Sequence, residues 1–255
     1  MKLIISPAKS LNFDDVPATG DPCFPEFLPE SERLVKKLQK VSRKGIAKLM
    51  SVSTAIADLN YERFQEWQTP FTEDNSKPAL MVFSGEVYRG MNARSFSKKE
   101  IAVAGDKLLI LSGLYGLLKS TDFIQPYRLE MGTRFKVTPK VTNLYKFWGD
   151  KITDAVNEEL AKDDGVLVNL ASNEYFKSID SKKIKGRIIT CHFKDFKNGE
   201  YKALMTYAKL ARGLMCRYVI TNNITDVEHL KGFDLEGYVF NPKLSTEDEL
   251  TFTRG

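Results

Sequence analysis

The sequence predicts an α/β fold: a single domain, residues 1–255, with a mixed, partly parallel sheet flanked by helices. Short apolar runs alternate with amphipathic stretches, the pattern of strands connected through packed helices. Residues 187–193 and 200–204 flank Lys197-Asn198-Gly199, and Asn-Gly between β-rich runs marks a hairpin, so part of the sheet is antiparallel. With 255 residues, 42% hydrophobic and 28% charged, the chain can bury one sizeable core, and this composition excludes a disordered, fibrous or disulfide-stapled protein.

Along the chain, residues 2–6 read as a strand, being too short for the apolar core of a secretion signal. Residues 10–30 carry Pro17, Pro22, Pro25 and Pro29 and read as an irregular surface excursion. Helices follow at 31–44 and 46–67, the second with a break near Asn60. The apolar runs 79–83 and 107–111 read as strands. Asn143 suits the N-cap of a helix over 143–162, since Leu144, Phe147, Trp148, Ile152, Ala155, Val156 and Leu160 fall mostly at helical spacing. A strand at 165–170, the hairpin and a helix at 206–221 complete the pattern. No apolar run approaches the roughly 18 residues of a membrane span, and Cys23, Cys191 and Cys216 are too few for a disulfide framework. A cytoplasmic protein without a membrane partner is expected.

Charge is segregated. Arg33, Lys36, Lys37, Lys40, Arg43, Lys44 and Lys48 run without an intervening acid, and on one helix the first six fall within an arc of about 120°, opposite Leu34, Val35, Leu38 and Val41. Between Tyr175 and Arg217, eleven basic residues face only Asp180, Asp195 and Glu200, whereas the chain from Asp226 onward is acidic. Charge runs usually mark solvated faces, but a face built only for solubility mixes signs. Lys177, Lys182, Lys183, Lys185, Lys209 and Arg212 therefore join the first stripe as candidate phosphate contacts. Duplex DNA, bound with little sequence preference, is the expected partner, because no zinc finger, basic zipper or RNA-recognition motif occurs.

Four of the apolar runs end in serine: Ser6, Ser84, Ser112 and Ser172. If those strands are parallel, the turns after them gather on one sheet edge, where open α/β folds bind ligands. Lys9, Glu86, Arg89, Tyr115, Asn173, Glu174 and Lys177 would lie nearby. Serine after a strand is also a good helix N-cap, and Gly85 and Gly113 suit tight turns, so ordinary capping competes with the pocket. Arg128 and Glu130 share one face of an extended segment, which suits an ion-pair network or a pocket wall. Lys9, Ser112, Arg128 and Asn173 are the catalytic candidates, and a small anion is a candidate ligand.

Other chemistry lacks its residues. No GxSxG, HExxH or GxxxxGK[ST] motif occurs. Cys191 and His192 are adjacent in an expected strand, so they point to opposite faces and cannot chelate one ion together. Neither a metal centre nor a cofactor is expected.

Several longer segments point further. Ser6-Pro7-Ala8-Lys9, residues 111–116 (LSGLYG), residues 125–132 (QPYRLEMG), Phe147-Trp148-Gly149-Asp150, residues 169–176 (NLASNEYF) and Ala211-Arg212-Gly213-Leu214-Met215, in this order, resemble the YaaA family of bacterial peroxide-stress proteins. The resemblance runs from Met1 to about Phe252. It implies an unusual α/β fold, a role in the hydrogen-peroxide response, limitation of unincorporated iron and oxidative DNA damage, and DNA binding through a basic cleft and a helix-hairpin-helix-like element. The nearest match to that element is the helical pair over residues 44–67, without a glycine-apolar-glycine hairpin. The leading expectation is thus a DNA-binding stress protein. The alternative is an enzyme acting on a nucleotide, nucleobase or DNA, with Lys9 as nucleophile or phosphate ligand in the serine-lined pocket.

Overall fold

Lys2, Leu3, Ile4 and Ile5 are all buried, so this run forms a strand covered on both faces, the environment of a central parallel strand. In the computed structural model, which describes residues 1–17 and 19–255, it is β1 (Lys2–Ile5). The chain continues through β2 (Ser10–Leu11), α1 (Leu28–Leu38), α2 (Arg43–Met50), α3 (Thr54–Glu66), β3 (Lys77–Pro78), α4 (Ala79–Val82), β4 (Phe83–Ser84) and α5 (Glu86–Met91). Then come α6 (Lys98–Lys107), β5 (Leu108–Ser112), β6 (Gly116–Lys119), β7 (Phe123–Ile124), α7 (Leu144–Trp148), α8 (Lys151–Leu160), β8 (Val166–Asn169) and α9 (Asn173–Phe176). Last are β9 (Arg187–Lys197), β10 (Glu200–Lys202), α10 (Met205–Thr221), β11 (Val239–Phe240) and β12 (Glu249–Arg254).

The main sheet has eight strands in the order β11-β12-β9-β8-β1-β5-β6, with β10 paired to β9. Strands β5, β1, β8, β9 and β12 are mutually parallel neighbours, while β6, β10 and β11 run antiparallel. The protein is therefore a mixed, largely parallel α/β fold. Asn198 and Gly199 both have positive φ, 54° and 85°, as the tight turn between β9 and β10 requires. One continuous apolar cluster extends from Met1 to Phe252.

Four expectations are corrected. The run 79–83 is not a strand of the main sheet: Ala79–Val82 is one buried helical turn, and Phe83–Ser84 pairs with β2 in a separate ribbon. A short, fully buried apolar run carries no periodicity to distinguish strand from helix. The stripe helix ends at Leu38; Ser42 then caps α2 by accepting from Gly45 N at 3.2 Å, so Arg43 and Lys44 lie on a second helix. The break expected near Asn60 lies instead at Ser51, whose φ of 52° ends α2, while Asn60 sits inside α3 and donates to Ile56 O at 2.8 Å. Asn143 does cap its helix, accepting from Lys146 N at 2.8 Å, but that helix divides at Gly149, where φ is 52°.

Candidate functional site

The order β8-β1-β5 places β5 and β8 on opposite sides of β1, making the β1/β8 boundary a topological switch point. Open sheets form a crevice outside the carboxyl ends of the strands at such a point. Here Ser6 leaves β1 and Ser172 follows β8. Ser6 Oγ donates to Ser172 Oγ at 3.2 Å and accepts from Ser172 N at 2.9 Å, fastening the two turns together. Above them is a cavity of about 250 Å³, lined also by Lys9, Ser84, Glu86, Tyr88, Glu130, Glu174, Tyr175, Lys209 and Arg212.

The far wall comes from α5 and α10. A Cβ on Gly213 would lie 1.8 Å from Val87 O, and one on Gly90 would lie 2.2 Å from Leu210 O, so the two helix backbones touch. This approach carries Lys209 and Arg212 over the pocket. Arg212 is partly buried, has no ion pair or hydrogen bond among the described residues, and is pushed below its ordinary pKa by burial. Glu130 accepts from Lys9 at 2.8 Å and from Arg128 at 2.9 Å, so those two cations meet at one carboxylate. Glu86 pairs with Arg89 at 2.6 Å, and Glu174 accepts from Gly132 N at 2.8 Å. Burial raises the Tyr88 and Tyr175 hydroxyls above their ordinary range, keeping both neutral.

The remaining serine and asparagine candidates lie elsewhere. Ser112 is fully buried and accepts from Leu114 N at 3.2 Å and Tyr115 N at 2.9 Å, while sharing a 2.7 Å hydrogen bond with Tyr127. It is the cap of a turn, away from the pocket. Ser112→Ala should therefore destabilise by about 1–3 kcal/mol, the cost of orphaned buried donors, in a denaturant titration. A variant as stable as the parent would show that the turn holds without the cap. Tyr115 is likewise internal, bonded to Trp67 Nε1 at 3.0 Å. Asn173 and Lys177 line a different cavity of about 510 Å³ with Tyr145, Asp180 and Lys182.

Beyond Glu130 and Glu174, which border both spaces, the pocket adjoins an open groove of about 870 Å³. Its walls are Val41, Gly45, Lys48, Leu49, Met50 and Ser51 from the α2 hairpin, facing Gly132, Thr133, Arg134, Phe135 and Lys136. Lys48, Arg134 and Lys136 are exposed and have no ion-pair partner among the described residues. Of the stripe, Arg33, Lys36, Lys37, Lys40, Arg43 and Lys44 are all exposed. Lys36 pairs with Glu32 at 3.1 Å, and Arg43 pairs with Asp58 and Glu62 while lying over Tyr61, leaving Arg33, Lys37, Lys40 and Lys44 without an ion pair among the described residues. Lys183 pairs with Asp150 at 2.7 Å. Lys182 lines the cavity with Asn173 and Lys177, and the Lys185 amide donates to Asn157 Oδ1 at 2.8 Å, whereas Lys209 and Arg212 line the pocket. Sequence reading missed Arg134 and Lys136; their signal was alternation about the buried Phe135.

No group of three or more His, Cys, Asp or Glu among the described residues could hold a metal ion. Cys191 is buried, its thiol pushed up to about 12 by desolvation, whereas His192 is exposed and pairs with Glu249. No helix among the described residues is long and apolar enough to cross a membrane.

Fold and site together define an α/β protein with a charged pocket at a sheet switch point and an open basic groove beside it. Residues 1–244 match the family described as peroxide stress protein YaaA, and the chain belongs to that family. It is 50% identical to a UPF0246 protein of Aliivibrio fischeri strain MJ11 over all of this chain and 98% of that protein. It is also 49% identical to UPF0246 proteins of Shewanella baltica strain OS155 and Neisseria meningitidis serogroup A, over all of this chain and 99% and 98% of theirs.

Proposed function

We propose that this peroxide-stress family member binds duplex DNA through the open groove and the adjoining stripe on α1, with little sequence preference. The observation carrying this reading is the groove beside the α2–α3 hairpin, where Lys48, Arg134 and Lys136 project without carboxylate partners among the described residues. Uncompensated cations along a groove attract a phosphate backbone, and the release of condensed counterions supplies most of the affinity. The same displacement offers a physical route to limiting iron-dependent damage: a cation expelled from the backbone no longer reacts beside it. Such a role belongs in the cytoplasm, with the chromosome.

The test is fluorescence anisotropy on unrelated duplexes across a salt series. Similar affinities for all sequences are expected, with log K falling linearly in log salt. Replacing Lys48, Arg134 and Lys136 by glutamine should reduce the slope by roughly one for each phosphate no longer neutralised, at most about three. Charge reversal at Lys36, Lys37 and Lys40 tests the α1 stripe in the same way. Parental affinity and slope in the groove variant would sink the assignment. The enzymatic alternative has less support, because Lys9 is 62% exposed and ion-paired to Glu130, which is not the desolvated, unpaired amine that a Schiff-base nucleophile needs.

A further inference from the structure

We propose that the pocket between the β1 and β8 turns and α10 binds one phosphorylated nucleotide unit, its phosphate held by Arg212, Lys209 and the Ser172 hydroxyl. Of the carboxylates in the wall, Glu86 is paired with Arg89 and Glu130 with both Lys9 and Arg128, while Glu174 keeps its charge, accepts from the Gly132 amide and forms no ion pair with Arg212 among the described residues. Lys209 and Arg212 have no such commitment among the described residues. A guanidinium withdrawn from water without a counter-charge costs free energy, and the fold maintains it by bringing α10 into backbone contact with α5. An arrangement held against that cost, inside a cavity at a sheet switch point, has the character of an anion site.

The donor set favours phosphate over carboxylate. Arginine offers a planar fork, lysine a point charge, and the Ser172 hydroxyl, which accepts from Ser6, one further donor; the three oxygens of a phosphate can meet all three groups at once, whereas a carboxylate has only two oxygens. The remainder of the wall suits more than inorganic phosphate. Pro7, Ala8, Val87 and the rings of Tyr88 and Tyr175 give apolar and aromatic surface, and Glu130 and Glu174 place acceptors at the end shared with the groove. At about 250 Å³ the cavity lies just below the usual range for small-molecule sites, about 300–1,000 Å³, which fits one nucleotide unit with an end open to the groove. That unit has two possible sources with the same chemistry: a free mononucleotide, or one nucleotide turned out of a strand lying in the groove. The second source alone rests on the DNA-binding reading.

Isothermal titration of the full chain with nucleoside 5′-monophosphates, the matching nucleosides, ribose 5-phosphate and inorganic phosphate tests the site. A saturable one-to-one complex with at least one monophosphate is expected. Removing the phosphate from the ligand, or Arg212→Gln in the protein, should weaken it by about tenfold or more, one charged hydrogen bond's worth. Arg212→Gln should also melt no lower than the parent, because it removes a charge with no ion pair among the described residues. A duplex carrying 2-aminopurine in a single-nucleotide bulge separates the sources. Brightening with the parent and not with Arg212→Gln identifies a unit taken from a strand; saturable mononucleotide binding without brightening identifies the free nucleotide. Neither response, or an Arg212→Gln protein that binds like the parent, overturns the proposal. Inorganic phosphate binding as tightly as every monophosphate overturns the nucleotide assignment. Failure of plain-duplex binding alone bears on the groove and leaves the mononucleotide result to stand or fall separately.

Discussion

Gly213→Ala is expected to cost about 3 kcal/mol or more and to lower the melting temperature by roughly 6–12 °C, the upper end of overpacking effects in a chain of this size. In an ordinary helix this exchange is favourable, by about 1 kcal/mol. Here the new Cβ would stand 1.8 Å from Val87 O, 2.7 Å from Val87 C and 2.8 Å from Met91 N. These are backbone atoms of α5 and cannot swing aside as a side-chain tip would, so the helices must part. Gly90→Ala strains the same seam from the other side, at 2.2 Å from Leu210 O. Since one separation relieves both clashes, the double variant should be destabilised by clearly less than the sum of the singles. Calorimetry of the four proteins checks this; an alanine at Gly213 that stabilises the chain would show the helices are not in contact there.

Asp122→Asn is expected to stabilise the protein at neutral pH, by up to about 3 kcal/mol, and to forfeit that advantage in acid. Asp122 is only 4% exposed, and burial pushes its carboxyl up to about 6. The Lys119 amide, donating to Oδ2 at 2.8 Å, and the Lys119 charge oppose this rise, while Glu159 and Glu26 add to it. The folded state therefore holds the proton more tightly than the unfolded chain, whose carboxyl titrates near 4. Stability attributable to this group is fully present below about pH 4 and is lost as pH rises through about 6. Asparagine keeps an oxygen for the Lys119 amide and removes the charge. Melting curves of parent and variant should thus coincide near pH 4 and separate by several degrees at pH 7.5. A gain independent of pH, or a lower melting temperature at pH 7.5, would show that the ionised carboxylate is not the source of the cost.

Much of the framework was legible because it is written locally. The buried run at β1, the β5, β8 and β9 strands, the Asn198-Gly199 turn and the Asn143 cap each depend on a few adjacent residues whose conformational preferences agree with the fold. The apolar side of α1 was equally readable: Leu34, Val35 and Leu38 are buried and the cations between them are exposed. The site was legible in part. Ser6, Ser84, Ser172, Lys9, Glu86, Glu174, Lys209 and Arg212 were singled out by type and position, but the sequence offered Lys209 and Arg212 as phosphate contacts on a basic helix face and did not show that they line a pocket with the others.

By itself, then, the sequence determined the α/β class, the hairpin, the segregation of charge and, through long ordered motifs, the family. Tertiary structure alone decided that Ala79–Val82 turns as a helix, that the acidic C-terminal segment supplies β12 beside β9, and that Ser172 meets Ser6 while Ser112 is sealed in the interior. It also decided what Gly90 and Gly213 are for. The reason is range: hydrophobic period, capping and turn chemistry report on neighbours within a helical turn or a strand pair. A pocket forms where segments more than a hundred residues apart close against one another, and a glycine that permits such close approach is, in the sequence, only a weak position in a helix.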